Sequence, residues 1–480
     1  MRGAPINNRV LANSWVSVKG KHCSGCSRVL EKLFNFQGLD TNNVWTHKSC
    51  TCNELIALKN RHQLDDGHSY NTQLDLLGVL KRKAKHIPAV SYDTVISHAR
   101  SGKKKLLEQA RESLWVKPLS YKDGRVRMFL KDDKYHKDEI GAPRCIQYRN
   151  KRYCLPLASR LIPIEEYCYT WKDSSGTAIF AKSRNHTQRG RDIQAKFDYF
   201  KHPVVLSLDH SKFDSHVNAD LLEVEHGFYR ACNGSKEFAK LLRMQKHNFG
   251  VTKNGTTYYT PATRMSGDQN TGLGNSLINY AMTVALLEHL KIKACLYFDG
   301  DDYLVITDRS NVNRLTPAMY NQFGMVTKLD SVAKQMEEIE FCQCRPVWDG
   351  DGYTMVRNPM RMISRLPWLI GRYGDKYKRN YVYSVGLCMM SVGCGLPVEQ
   401  YIGEQLSKNG GVYKVTSQHH QANKMQFKPG RAKIITPSVR TRLSYWQAWG
   451  ITPQEQEDLE VLQFKEPFVI GSEEQPFACF

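Results

Sequence analysis

Residues 295–307 read CLYFDGDDYLVIT. Two apolar, β-favouring runs, Cys295 to Phe298 and Tyr303 to Ile306, flank a turn of Asp299, Gly300, Asp301 and Asp302. That is the pattern of a β-hairpin with glycine in its turn. Its oddity is electrostatic. Carboxylates a few Å apart repel by roughly 4 kcal/mol at an effective dielectric of about 20. Relief comes from a carboxyl that keeps its proton or from a cation between the two. Oxygen donors suit a hard divalent ion. Alone, the run reads first as a solvated acidic turn and second as a metal site; the rest of the chain reverses that order.

The chain has 480 residues, 41% hydrophobic and 10% aromatic, which is enough for several packed units and excludes a disordered polymer. A formal charge of +21 favours a polyanionic partner, either nucleic acid or an acidic membrane surface. The start, MRGAPINNRV, has no apolar signal region. The least polar long run, Val382 to Val398, holds Gly386, Gly393, Gly395 and Pro397 and is short for a bilayer. No membrane span is therefore expected. Fourteen cysteines without a small-domain framework point to reduced thiols in a cytoplasmic setting.

Residues 1–85 are the least legible. Cys23, Cys26, Cys50 and Cys52, with His22 and His47, give C-x2-C followed by H-x2-C-x-C. Ordinary thiols are the first expectation and a structural Zn²⁺ the second, because the closing C-x-C is less usual than C-x2-C. Helical periodicity from Tyr92 to Leu114 is interrupted at Ser101, Gly102 and Lys103, Lys104 and Lys105. A solvated charge run and a glycine that brings backbone close to a phosphate chain both fit. Lys131, Lys134, Arg144, Arg149, Arg152 and Arg160 then recur among β-formers, as in a folded basic wall suited to triphosphates.

PVVLSL, residues 203–208, reads as a buried strand ending at Asp209, with Asp214 five positions on. A hairpin is expected at Asn254-Gly255. SGDQNTGLGN, residues 266–275, is a glycine-rich loop opening a helix, without the spacing of a P-loop. The DGDG at 349–352 reads as a turn, since Met360 stands where a calcium loop needs a carboxylate.

The order of these pieces is specific. Asp209 with Asp214, then Ser266, Gly267, Thr271 and Asn275, then Gly300-Asp301-Asp302, resembles the A, B and C motifs of viral RNA-dependent RNA polymerases. PRCIQYRNKRY (143–153) resembles the family's basic motif F, and EFCQCRP (340–346) its motif E in the positive-strand, tombusvirus-like branch (Tombusviridae and relatives). SYWQAWGITPQEQEDLE (444–460) is similar to that branch's thumb, and GKKK (102–105) to its template-channel motif.

The resemblance implies an α+β right-hand polymerase fold with fingers, an antiparallel palm flanked by helices, and a helical thumb. The matching boundaries are an N-terminal extension over 1–85, fingers over 86–200, palm over 201–357 with a fingers insertion near 226–258, and thumb over 358–480. It implies an RNA-directed RNA polymerase that copies an RNA template from NTPs and replicates a positive-strand genome, with primer-independent initiation. Asp209, Asp301 and Asp302 would hold two Mg²⁺ (or Mn²⁺) ions for in-line nucleotidyl transfer. Asp214 and Asn275 would recognise the ribose 2′-hydroxyl, with Ser266, Gly267 and Thr271 shaping that pocket. Lys131, Arg144 and Arg152 would line the triphosphate, Lys328 would be the general acid for pyrophosphate, and Gly102, Lys103 and Lys104 would lie in the template channel. Expected partners are RNA template and product, NTPs, and a viral membrane-anchoring replication protein that recruits the chain to membrane-associated complexes in the host cytoplasm.

Three rivals leave features unused. A reverse transcriptase would discriminate against the ribose hydroxyl that Asp214 and Asn275 favour. A two-metal nuclease needs neither the 266–275 loop nor the basic wall. A non-catalytic RNA-binding protein leaves the aspartates unexplained.

Overall fold

The computed structural model describes residues 14–18, 23, 25–28, 30–36, 44–62, 68–136, 139, 141–371, 373–408, 410–413 and 432–462. His22, the MRGAPINNRV start and the last eighteen residues of the expected thumb lie outside the described residues.

The apolar runs form one four-stranded antiparallel sheet. Its order is Ala294–Asp299, Asp302–Asp308, Pro203–His210, Thr327–Ala333. Alternate side chains of a strand point to opposite faces. Leu206, Leu208, Phe298, Tyr303 and Val305 accordingly join a core shared with helices Ala219–Cys232 and Thr271–Leu290. Val205, Tyr297, Leu304 and Ile306 face the other way and meet Ile193 of helix His186–Asp198. Both faces are covered, which is why these strands read as continuous apolar runs. Each fully buried aliphatic or aromatic side chain here contributes about 1.5–3 kcal/mol. The hairpin closes with Asp299 opposite Asp302, and Gly300 turns the chain at φ 73°, a left-handed conformation that glycine adopts without steric cost.

A second sheet runs Trp15–Ser17, Thr257–Pro261, His247–Thr252, Val126–Leu130, Cys145–Arg149. It contains the hairpin expected at Asn254-Gly255, and Val126–Leu130 lies parallel to His247–Thr252. The expected turn at Asp349 to Gly352 joins strands Cys344–Trp348 and Tyr353–Arg357. Helices Asp375–Val392, Glu399–Ser407, Val439–Trp449 and Pro453–Glu460 pack beyond it around a core of their own, into which Phe34 and Phe36 reach. A Cβ on Gly386 would lie 2.6 Å from the Gly403 carbonyl, so the apolar 382–398 run is the site of a close helix crossing. No described helix is long and apolar enough to cross a membrane.

The described residues of 14–62 join the rest of the chain. They supply an edge strand to the second sheet, pair Leu30–Lys32 with Trp368–Ile370, and pair Val44–His47 with Tyr135–His136. Gly102 and the lysines after it do not interrupt a helix; they begin one. The break falls at residues 98–100, between Tyr92–Ser97 and Ser101–Val116, where the chain leaves helical dihedrals at Arg100 (ψ 150°).

Candidate active site

The three aspartates lie at one end of the four-stranded sheet. Leu208 pairs with Tyr303, so one step on Asp209 lies opposite Asp302, at the hairpin tip. From the other side Lys328 pairs with Asp209. Neighbouring antiparallel Cα atoms lie about 4.5–5.5 Å apart. The tip is held from below by helix Thr271–Leu290. Ser276 Oγ accepts the Gly300 N–H at 2.9 Å, and Asn279 Nδ2 donates to the Gly300 carbonyl at 3.2 Å. Asn279 Oδ1 in turn meets His210 Nε2 at 3.1 Å, and the His210 ring stacks on Tyr303. Burial takes His210 down to about 4, so it is a neutral strut at working pH.

The carboxyl groups themselves are under pressure to protonate. Burial, then the charges of Asp214, Asp209 and Asp299, push Asp301 up to about 6. Burial, then Asp301, Asp209, Asp299 and Asp330, push Asp302 up to about 7. Asp209 is also raised, by burial and Asp330, with Lys328 opposing. Carboxyl groups that raise one another's proton affinity in this way, at the end of rigid strands, suit a divalent ion.

A pH dependence follows. In the metal-free chain Asp301 and Asp302 bind protons more tightly folded than at their ordinary value of 3.8. Their contribution to stability is therefore complete below about pH 4 and is lost as pH rises through 6 to 7. Mg²⁺ competes with those protons, so it should raise the melting temperature at pH 8 and leave it unchanged at pH 5. Thermal melts with and without Mg²⁺ check this, and an equal shift at both pH values would contradict it.

Beside the aspartates is a second polar cluster. Asp214 follows Lys212, whose left-handed backbone (φ 49°) turns the chain into the short helix Phe213–His216. Asn275 Nδ2 donates to Asp214 Oδ1 at 2.6 Å, and Arg61 to Oδ2 at 2.6 Å. Arg264 donates to Asn275 Oδ1 at 2.9 Å while forming a buried ion pair with Glu225. Burial works against ionisation of Asp214, but Arg61 and Asn275 outweigh it and hold the carboxyl below its usual range. The structure thus brings the expected Asp214 and Asn275 together.

Ser266, Gly267 and Thr271 fasten the loop around them. Ser266 Oγ donates to the Cys145 carbonyl at 3.0 Å, Gly267 N–H to the Gln147 carbonyl at 2.7 Å, and Thr271 Oγ1 to the Met265 carbonyl at 2.9 Å. A Cβ on Gly267 would lie 2.6 Å from the Gln147 carbonyl, so only glycine lets loop and strand approach this closely.

A cavity of about 1110 Å³ opens alongside, with Lys131, Arg144, Arg189, Cys342 and Arg361 in its wall. Arg144 is held to Asp133 at 2.7 Å and also feels the charge of Asp301. Arg189 reaches Asp299 at 2.7 Å, which ties that wall to the hairpin.

Arg152 does not join it. Its guanidinium is committed to Asp123, Ser113 Oγ and the carbonyls of Lys117 and Pro118. It lies in the first turn of helix Lys151–Cys168, which the Asn150 cap starts directly after the strand. Arg149 and Arg160 are likewise paired, with Asp268 and Glu237. The expected basic wall is therefore partly an internal scaffold. Gly102, Lys103 and Lys104, on the first turn of their helix, are not in the cavity wall. Cys23, Cys26, Cys50 and Cys52 gather at the start of helix Thr51–His62.

Sequence reasoning missed Arg61 and Arg189. Arg61 stands 153 positions from Asp214, and an arginine near a helix end resembles any solvated cation. The DGDD turn did signal a need for cations at Asp299 but not where in the chain they lie.

The chain is 33% identical over 396 residues to an RNA-directed RNA polymerase of Tobacco necrosis virus (strain A), covering 79% of this chain and 54% of the relative. To that of Tomato bushy stunt virus (strain Cherry) it is 33% identical over 390 residues, 77% of this chain and 47% of the relative. To that of Carnation mottle virus it is 30% identical over 403 residues, 80% of this chain and 52% of the relative. It spans about half the length of the curated relatives it matches. A family model described as "Viral RNA dependent RNA polymerase" matches residues 55–463, and the chain belongs to that family.

Proposed function

We propose that this chain copies an RNA template from NTPs as the polymerase of a positive-strand, tombusvirus-like virus, within a right hand of fingers (86–200), palm (201–357) and thumb (358–480). The observation that carries the reading is Asp209 opposite Asp302 on adjacent strands, with Asp301 in the turn between Asp299 and Asp302, beside a wall holding Lys131 and Arg144. The family implies a divalent metal, and the raised carboxyl groups fit one. Asp209, Asp301 and Asp302 would hold two Mg²⁺ or Mn²⁺ ions. Bound there, such ions lower the basicity of the attacking 3′-oxygen and neutralise charge on the departing pyrophosphate.

The chain's own residues then position the reactants, the larger part of catalysis in phosphoryl transfer. Arg144 and Lys131 receive the triphosphate, and Lys328, beside Asp209 on the neighbouring strand, is placed to donate a proton to pyrophosphate. Lys103 and Lys104 extend the template path. Initiation without a primer and recruitment to membrane-associated complexes in the host cytoplasm, through a viral membrane-anchoring protein, belong to the same reading on family likeness.

Asp214 decides sugar choice. Arg61 and Asn275 each use one of its oxygens, and a carboxylate has about four acceptor sites. The remaining lone pairs can take the ribose 2′-hydroxyl, and a site built for a hydroxyl rejects the analogue without it. In competition between a labelled NTP and the matching dNTP, the native chain should incorporate the ribonucleotide. Asp214→Ala should narrow that preference by roughly 10- to 100-fold, the worth of a hydrogen bond to a charged group. Preferred dNTP use by the native chain would overturn the reading in favour of DNA synthesis.

A further inference from the structure

Outside the catalytic region the described residues contain one four-cysteine group whose ligand atoms all lie within 4.8 Å of one another: Cys23, Cys26, Cys50 and Cys52. We propose that these thiolates hold a structural Zn²⁺ that fixes the start of helix Thr51–His62.

The sulfur spacing fits a single tetrahedral ion. With Zn–S near 2.3 Å, the edge of an S4 tetrahedron is about 3.8 Å. The Cys23–Cys52 and Cys50–Cys26 separations are 3.7 and 3.8 Å, and Cys23–Cys26 is 3.2 Å. All three are far longer than the ~2.05 Å of a disulfide. Four soft donors and no carboxylate select zinc over the hard ions suited to the aspartate site.

The backbone is shaped for this. Lys48 N–H donates to the Cys26 carbonyl at 2.8 Å, and Asn53 Nδ2 bridges the Cys26 and Lys48 carbonyls at 2.7 and 2.9 Å. The C-x2-C turn is thereby pressed against the C-x-C pair. Cys50 immediately precedes a twelve-residue helix and Cys52 lies in its first turn, whose positive end favours thiolates.

The helix is also where the site acquires a role. Its far end carries Arg61, on Asp214, and His62, whose Nε2 meets Gln147 Nε2 at 2.9 Å. Among the described residues, 14–36 and 44–50 form two- to four-residue strands, in a segment that must place one guanidinium to within a hydrogen bond. Four metal–sulfur bonds tie these strands to the start of the helix that carries Arg61. Arg61 is in this sense a positioning residue for Asp214, an extension that rests on the ribose reading above.

The test is metal analysis of the purified native chain, expressed in zinc-replete medium and dialysed against metal-free buffer. One zinc per chain is expected, falling to background in Cys26→Ser and in Cys52→Ser and retained in Cys154→Ser. A strong chelator should lower the melting temperature of the native chain and expose four additional thiols to a thiol reagent. A native chain without zinc, a chain carrying iron instead, zinc retained in both variants, or a melt unchanged when zinc is stripped would each overturn the proposal. Zinc content is read without catalysis, so a zinc-loaded chain that made no RNA would sink the polymerase reading and leave this site standing.

Discussion

Asp301→Asn should abolish nucleotide incorporation and leave the fold intact. Asparagine keeps the size of the side chain and one oxygen, and removes the charge that a divalent ion needs. Charge stabilisation of this kind is worth several kcal/mol, so turnover should fall on the order of 10³-fold or more. The usual objection, that the variant merely unfolds, is met by the electrostatics. Asp301 is pushed up to about 6 by burial and by Asp214, Asp209 and Asp299, so its ionised form is a liability to the metal-free chain. The amide removes that liability. In metal-free buffer at pH 8 the variant should melt at or above the native temperature, and RNA binding should stay within about twofold. Incorporation at native rates by a folded Asp301→Asn chain would remove Asp301 from the chemistry.

RNA affinity should collapse with salt. The formal charge is +21, and Lys131, Arg144 and Arg361 stand in the cavity wall. If roughly 6–10 phosphates are neutralised, affinity falls about 10³–10⁵-fold between 50 and 200 mM salt. Binding isotherms across that range give the slope directly. The structure also narrows which cations count. Arg149, Arg152 and Arg160 are paired with Asp268, Asp123 and Glu237, so charge-removing changes there should cost stability rather than salt slope. Arg144 is also paired, with Asp133, but its side chain is 61% exposed to the cavity and solvent, so Arg144→Gln should reduce the slope by about one unit. A flat salt response would mean that the cavity wall does not face nucleic acid.

The parts of the fold visible in the sequence were those with local signatures. The 295–307 hairpin announced itself through two β-runs and a glycine that the φ 73° turn requires. The strand ending at Asp209 and the helix opening at Thr271 were legible because both are covered by core and so uninterrupted by charge. The placing of Asp214 beside Asn275 came with the order of motifs, not with any periodicity. What stayed hidden depends on long-range pairing. Residues 14–62 look featureless because their strands are short and their partners lie at 135–136, 257–259 and 368–370. The partners of Arg152 stayed hidden for the opposite reason. Its neighbours are basic and β-forming, but Asn150 caps a helix between it and the strand and swings the guanidinium toward Asp123. Net charge along a sequence shows how many cations there are, and not which of them already have an acidic partner.

If the aspartate cluster performs templated copying, exchanging the template reveals it. The native chain and Asp301→Asn are each given homopolymeric RNA templates in turn, with Mg²⁺ and one labelled NTP at a time. Label should enter product only for the NTP complementary to the template, switch when the template is switched, and vanish in the variant. Incorporation indifferent to template, or undiminished in Asp301→Asn, would contradict the account.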